Sequence, residues 1–141
     1  MDMRPFFETW FTRFWINEDM AAAEDMASPD VVVQGLTDAP QTTREGMRDF
    51  GQALLALCDF QDIVIKHFMQ DGDWAHMLVQ FSGTARKTDK PFRFDAQILA
   101  RAENGKIVEG YNHPDFLTLF QQLGTMPPDA ISRCLSNKPM A

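Results

Sequence analysis

Basic clusters, paired cysteines and long apolar runs are all missing from this chain of 141 residues. Its 13 Lys and Arg stand against 20 Asp and Glu, a net charge of −7. The densest basic stretch, Arg86-Lys87-Thr88-Asp89-Lys90, reads as a hairpin tip. Phosphate neutralisation needs a basic stripe, so nucleic acid and anionic membrane surfaces are excluded as partners. No apolar run approaches the roughly 20 residues that span a bilayer. The opening Met1-Asp2-Met3-Arg4-Pro5 has neither a basic leader nor a cleavable apolar segment, which predicts a cytoplasmic protein. The two cysteines, Cys58 and Cys134, form no CxxC and no Cys/His spacing suited to zinc, so no metal is expected. GxSxG, P-loop and GxGxxG motifs are absent.

What the chain has is aromatic and sulfur-rich bulk: twelve Phe, three Trp and nine Met within a composition that is 45% hydrophobic. That is ample for one core, and the length suits one domain. Phe7, Trp10, Phe11, Phe14 and Trp15 recur at three- and four-residue steps, which predicts a helix over 4–16 with one greasy stripe. A shorter helix over about 19–27 is stopped by Ser28-Pro29-Asp30, since the residue before proline avoids the helical region. A strand follows over 31–36. Thr42 and Glu45 have capping-box spacing for a third helix, with Met47, Phe50, Leu54, Leu57 and Cys58 on its buried face.

The second half alternates with period two. Strands are predicted over 61–69, 74–85, 91–102 and 107–112, joined by Gln70-Asp71-Gly72-Asp73, by the 86–90 excursion and by Glu103-Asn104-Gly105-Lys106. A terminal helix over 116–123 ends at Gly124. The order is α+β: a curved, mostly antiparallel sheet with three helices from the N-terminal half on its concave face, plus a short C-terminal helix. Residues 1–124 form the domain, and 125–141 form a tail that wraps or frays.

Three stretches carry a resemblance. They are Ala27-Ser28-Pro29-Asp30-Val31-Val32-Val33, then Thr43-Arg44-Glu45-Gly46-Met47-Arg48-Asp49-Phe50, and most strongly Gly105-Lys106-Ile107-Val108-Glu109-Gly110-Tyr111 running on to Leu119-Phe120-Gln121-Gln122-Leu123-Gly124. In this order the chain resembles a SnoaL-like polyketide cyclase domain of the NTF2-like superfamily, over roughly residues 6–124. The resemblance implies a cone in which a bent sheet and three helices enclose a deep apolar pocket. It implies a homodimer through the outer sheet face and a small apolar or polycyclic ligand. Family cyclases close a ring by an intramolecular aldol reaction with an acid/base carboxylate, and need no metal or organic cofactor.

Strand alternation puts Arg93, Asp95, Gln97 and Leu99 on one face and Phe94, Ala96 and Ile98 on the other. The resemblance assigns the Asp95 face to the concave side, together with Val108, Gly110 and Asn112 on the last strand and Gln34 at the pocket mouth. A carboxylate enclosed by apolar walls is desolvated, which is how general bases are tuned toward neutral pH, so Asp95 is the candidate acid/base. The family's acid/base Asp matches Asn112 here; in the related ketosteroid isomerases a pocket acid matches Gln97 and the base matches Gln34. Amides exchange no protons near neutrality and can only orient or polarise a ligand.

His113 is a minor proton-carrying candidate beside the pocket mouth, while Asp115 reads as a helix N-cap. His67 and His76 lack a third ligand and fit surface positions. Trp10, Phe14, Trp15, Phe50 and Leu99 are the candidate ligand contacts, and Tyr111 is expected on the outer face. Two readings stay open: a cofactor-independent cyclase or isomerase using Asp95, Gln97 and Asn112, or a non-catalytic binding or dimerisation module.

Overall fold

The first helix begins where the Asp2 carboxylate accepts a hydrogen bond from the Arg4 amide at 3.2 Å. In the computed structural model, which describes residues 1–140, this helix (α1, Met3–Phe11) buries Met3, Phe7, Trp10 and Phe11. It runs straight into a π-helical turn over Thr12–Ile16, closed by the Asn17 amide on the Thr12 carbonyl at 2.8 Å. A short α2 (Ala22–Met26) follows, and β1 (Ala27–Gln34) starts at once. Pro29 stops the helix as expected, but the extended conformation it favours begins before it, so the strand starts earlier than 31.

Thr43, not Thr42, caps α3 (Arg44–Leu55), its hydroxyl accepting from the Gly46 amide at 3.1 Å. Thr42 is engaged elsewhere: its backbone exchanges hydrogen bonds of 2.7 and 3.2 Å with Val33 and covers the outer edge of β1. Four long strands then follow: β2 (Cys58–Asp71), β3 (Trp74–Ala85), β4 (Pro91–Glu103) and β5 (Lys106–Pro114). The sheet order is β1-β5-β4-β3-β2, parallel between β1 and β5 and antiparallel elsewhere. Register shifts interrupt β2 twice and the β4–β5 ladder once. Such bulges bend a sheet, and these give it a concave face for the helices.

Asp115 caps α4 (Phe116–Leu123), accepting from the Thr118 amide at 3.0 Å, and Gly124 closes it at φ +85°. Gln122 on α4 reaches the free edge of β4, donating to the Arg93 carbonyl and accepting from its amide, both at 2.8 Å. The tail contains a further helix that the sequence pattern does not announce, α5 (Ala130–Leu135). Gln121 donates to the Pro127 carbonyl at 3.1 Å and so ties the segment before α5 to α4. Cys58 is fully buried in the core and Cys134 is exposed. Desolvation pushes the Cys58 thiol up to about 11, which leaves it an inert hydrophobe. No helix among the described residues is long and apolar enough to cross a membrane.

Candidate functional site

The register decides which side chains share the concave face. Ile98 lies opposite Asn112 and Ala100 opposite Gly110. Met77 lies opposite Ile98, Val79 opposite Ala96 and Phe81 opposite Phe94. On the far side, Val33 pairs with Gly110. Between this face and the helices lies a hollow of about 90 Å³.

Aromatic rings make most of its wall. Phe7, Trp10, Phe11, Phe14 and Trp15 enter from α1 and the π turn, and Met47, Phe50 and Leu54 from α3. The π turn is the device that allows this. A wider turn carries an extra residue, and it lets the consecutive Phe14 and Trp15 both reach the hollow. Trp10 stacks on Phe14 at 4.7 Å between centroids, Phe14 meets Trp15 edge-on at 4.8 Å, and Trp15 meets Phe60 of the sheet at 5.2 Å. Phe50 meets Phe116 at 5.9 Å, joining α3 to the start of α4. The rings fill much of the cone. What remains is smaller than the roughly 150 Å³ void that takes up benzene in an engineered core.

The lining contains no Asp, Glu, His, Lys, Arg, Cys or Tyr. Asn112 is its one side chain with a polar acceptor. Its Nδ2 donates to the backbone carbonyl of Gln34 at 3.0 Å. Gly35 brings the two strands this close: it sits at φ +89°, and a Cβ there would lie 1.8 Å from the Asn112 carbonyl oxygen.

The structure therefore corrects the assignment of strand faces. Asp95, Gln97 and Leu99 lie on the outer face of β4, while Phe94, Ala96, Ile98 and Ala100 face the hollow. Asp95 Oδ2 accepts from Lys66 Nζ at 3.1 Å with its side chain 43% exposed. Gln97 and His113 are exposed and oppose each other across β4 and β5. Gln34 shares the outer side with Tyr111, and only its carbonyl oxygen serves the site. Burial enforces all of this: the apolar set of β4 must face the helices, and period two then sends the polar set outward. Val108 misses the hollow because a bulge falls there. Glu109 pairs with Arg101 and Ile107 with Ala102, so Ile107 takes the lining position.

Of the expected contacts, Trp10, Phe14, Trp15, Phe50 and Asn112 are brought together. Asp115 is the N-cap that its position suggested. Phe60 of β2, Phe81 and Phe94 complete the floor, and the period-two apolar pattern of β3 and β4 signals the last two. A second recess of about 240 Å³ lies among Met1, Met3, Gln70, Asp73 and Asn104. It is crossed by the terminus's own hydrogen bonds, in which Gln70 accepts from the Met3 amide and donates to the Met1 carbonyl. Among the described residues no three His, Cys, Asp or Glu side chains converge as a metal site would require.

The outer face has a different character. Trp74 stacks against Tyr111 at 6.5 Å, and the Arg101 guanidinium lies 5.8 Å over the Trp74 ring. Arg101 pairs with Glu109 at 2.7 Å and also with Glu103, and the Tyr111 hydroxyl donates to Glu109 at 2.5 Å. The Tyr111 and Arg101 hydrogen bonds hold the Glu109 carboxyl below its ordinary value, and the same bond raises the Tyr111 phenol.

The profile of the SnoaL-like polyketide cyclase family matches residues 7–123. Among solved structures, the chain is similar to IdmH from Streptomyces antibioticus, provisionally assigned as a polyketide cyclase. The TM-score is 0.74 at 21% identity, covering 88% of this chain and 99% of that one. AclR from Streptomyces galilaeus, provisionally a hydroxylase, gives 0.76 at 17% identity over 95% and 89%. A Bacillus cereus protein, provisionally a polyketide cyclase, gives 0.73 at 24% over 84% and 78%. No curated protein sequence matches.

Proposed function

The chain belongs to the SnoaL-like polyketide cyclase family, and from that premise we propose that it binds a small, neutral, mostly apolar organic molecule in the aromatic hollow. In this reading the protein holds its ligand without proton transfer by a side chain of the lining. The observation that carries it is the composition of the wall: rings and aliphatic groups throughout, one carboxamide, and no group that titrates. Aldol ring closure and double-bond isomerisation both need a proton acceptor beside the substrate. The position that the family resemblance gives to an Asp is Asn112, and Asp95 is paired with Lys66 on the far side of the sheet. A cyclase or isomerase driven by Asp95 has no route to a ligand in the hollow.

Toluene is a suitable probe. At about a hundredfold excess over its Kd it should raise Tm by several degrees. Ala100→Leu, which fills the hollow from β4, should abolish that rise. A toluene-independent Tm in the unaltered chain overturns the reading.

The same proposal includes a homodimer through the outer sheet face. Met69 and Leu99 are exposed there in one row with Tyr111, and Val64 is exposed further along the same face. An exposed apolar group on a sheet face is a candidate for burial against a second copy. Sedimentation should report a dimer that Leu99→Lys converts to monomer; a monomeric parent chain removes this part.

A further inference from the structure

One polar atom in the hollow has nothing to do. The Gln34 carbonyl can only accept, so the Asn112 carboxamide must turn its Nδ2 toward it, and the 3.0 Å bond fixes that orientation. Oδ1 is left over. Among the described residues no donor reaches it, and it is not sealed away, since the only walled-in side-chain atom without a partner is Arg48 Nε. An Asp at this position would set a carboxylate oxygen against the Gln34 carbonyl, lone pair to lone pair. Asn anchors the strand end and still offers an acceptor.

We infer that Asn112 selects a neutral single-ring ligand carrying one hydrogen-bond donor, of the phenol type, whose hydroxyl donates to Oδ1 while its ring lies among Trp10, Phe14 and Phe50. The inference rests on the ligand-binding reading above and gives it a chemical class. A donor is required because the unmatched protein atom is an acceptor. Neutrality is required because no counter-charge lines the hollow, and a buried unpaired charge is strongly unfavourable. One ring is the limit because about 90 Å³ already asks small side-chain shifts of a benzene-sized guest.

Phenol and toluene have nearly the same shape, so titration calorimetry of both against the unaltered chain separates the polar contribution from the apolar one. Toluene enters a greasy wall more readily than phenol, so a preference for phenol cannot come from the rings. The expected result is that phenol binds more tightly than toluene and that benzoate does not bind. Asn112→Leu should shift the phenol-to-toluene affinity ratio about tenfold toward toluene. Toluene binding more tightly than phenol in the unaltered chain, an unchanged ratio in the Leu variant, or benzoate binding as well as phenol would each overturn the inference. Toluene binding without a phenol preference removes this inference and leaves the ligand-binding reading standing; binding of neither removes both. Should Asn112→Leu fail to fold, the order of the two ligands on the unaltered chain decides alone.

Discussion

Gly35 and Asn112 act as one unit although 76 residues of chain lie between them. A left-handed backbone at Gly35 lets β1 end against β5 with no atom to spare, and the Gln34 carbonyl thereby meets the Asn112 amide. Gly35→Ala combines a disfavoured φ with a clash against backbone that cannot step aside. The expected loss is about 2–4 kcal/mol, read from urea unfolding. A loss below about 1 kcal/mol would mean that the strand end yields freely. Asn112 could be picked out in the sequence because its residue type departs from the family pattern. Its partner could not, because the contact uses a main-chain oxygen, which every residue carries.

β4 is the element on which the sequence argument turned the wrong way, and the correction was already written in its residues. Phe92, Phe94, Ala96, Ile98, Ala100 and Ala102 form an unbroken apolar series, and all are buried. Arg93, Asp95, Gln97, Leu99 and Arg101 form the other series, polar but for Leu99. The resemblance sets the Asp95 face inward, against the plainer rule that a sheet turns its apolar face to the helices. Two substitutions separate the faces. Asp95→Asn removes one exposed ion pair and should change stability by less than about 1 kcal/mol. Ala96→Asp, one residue along, places a carboxylate among rings and should cost at least about 3 kcal/mol or prevent folding. Equal effects in chemical denaturation would contradict the assignment of faces. The stripe that α1 begins and the π turn continues was legible, since five large residues set its period. The π turn was not, because nothing in Thr12–Ile16 distinguishes a five-residue closure from a four-residue one before the packing is known. The bulge at Val108 was hidden for the same reason: an extra residue in a ladder is visible only against its partner strand.

Over the whole molecule, the two sides of the sheet divide the chemistry. The inner side is apolar and uncharged; the outer side carries all three histidines and the Arg101–Glu109–Tyr111 cluster. Acid sensitivity therefore belongs to the outer side. The folded Glu109 carboxyl lies below its ordinary value of 4.5, so folding takes up its benefit above that pH and loses it as pH falls through the lowered value. Melting curves from pH 6 downward should show Glu109→Gln less stable than the parent near pH 6, with the difference shrinking as the carboxylate is protonated. A difference that stays constant over that range would show that the cluster does not couple to folding. The α+β order and the positions of β2 to β5, to within a few residues, could be foreseen from periodicity, while β1 starts four residues before the expected strand. The neighbourhood of β1 and β5 has no signal in the sequence, since nothing local joins them.

That neighbourhood has a consequence for synthesis. β5 sits between β1 and β4, so the sheet stays in two parts until residues 106–114 have left the ribosome. Until then the N-terminal helix, with its row of rings, has only part of its floor to rest on. Closing the gap joins segments separated by most of the chain, the kind of long-range pairing that makes folding slow. The aromatic row that shapes the hollow in the finished protein is, during translation, an incompletely covered apolar surface of the kind that aggregates.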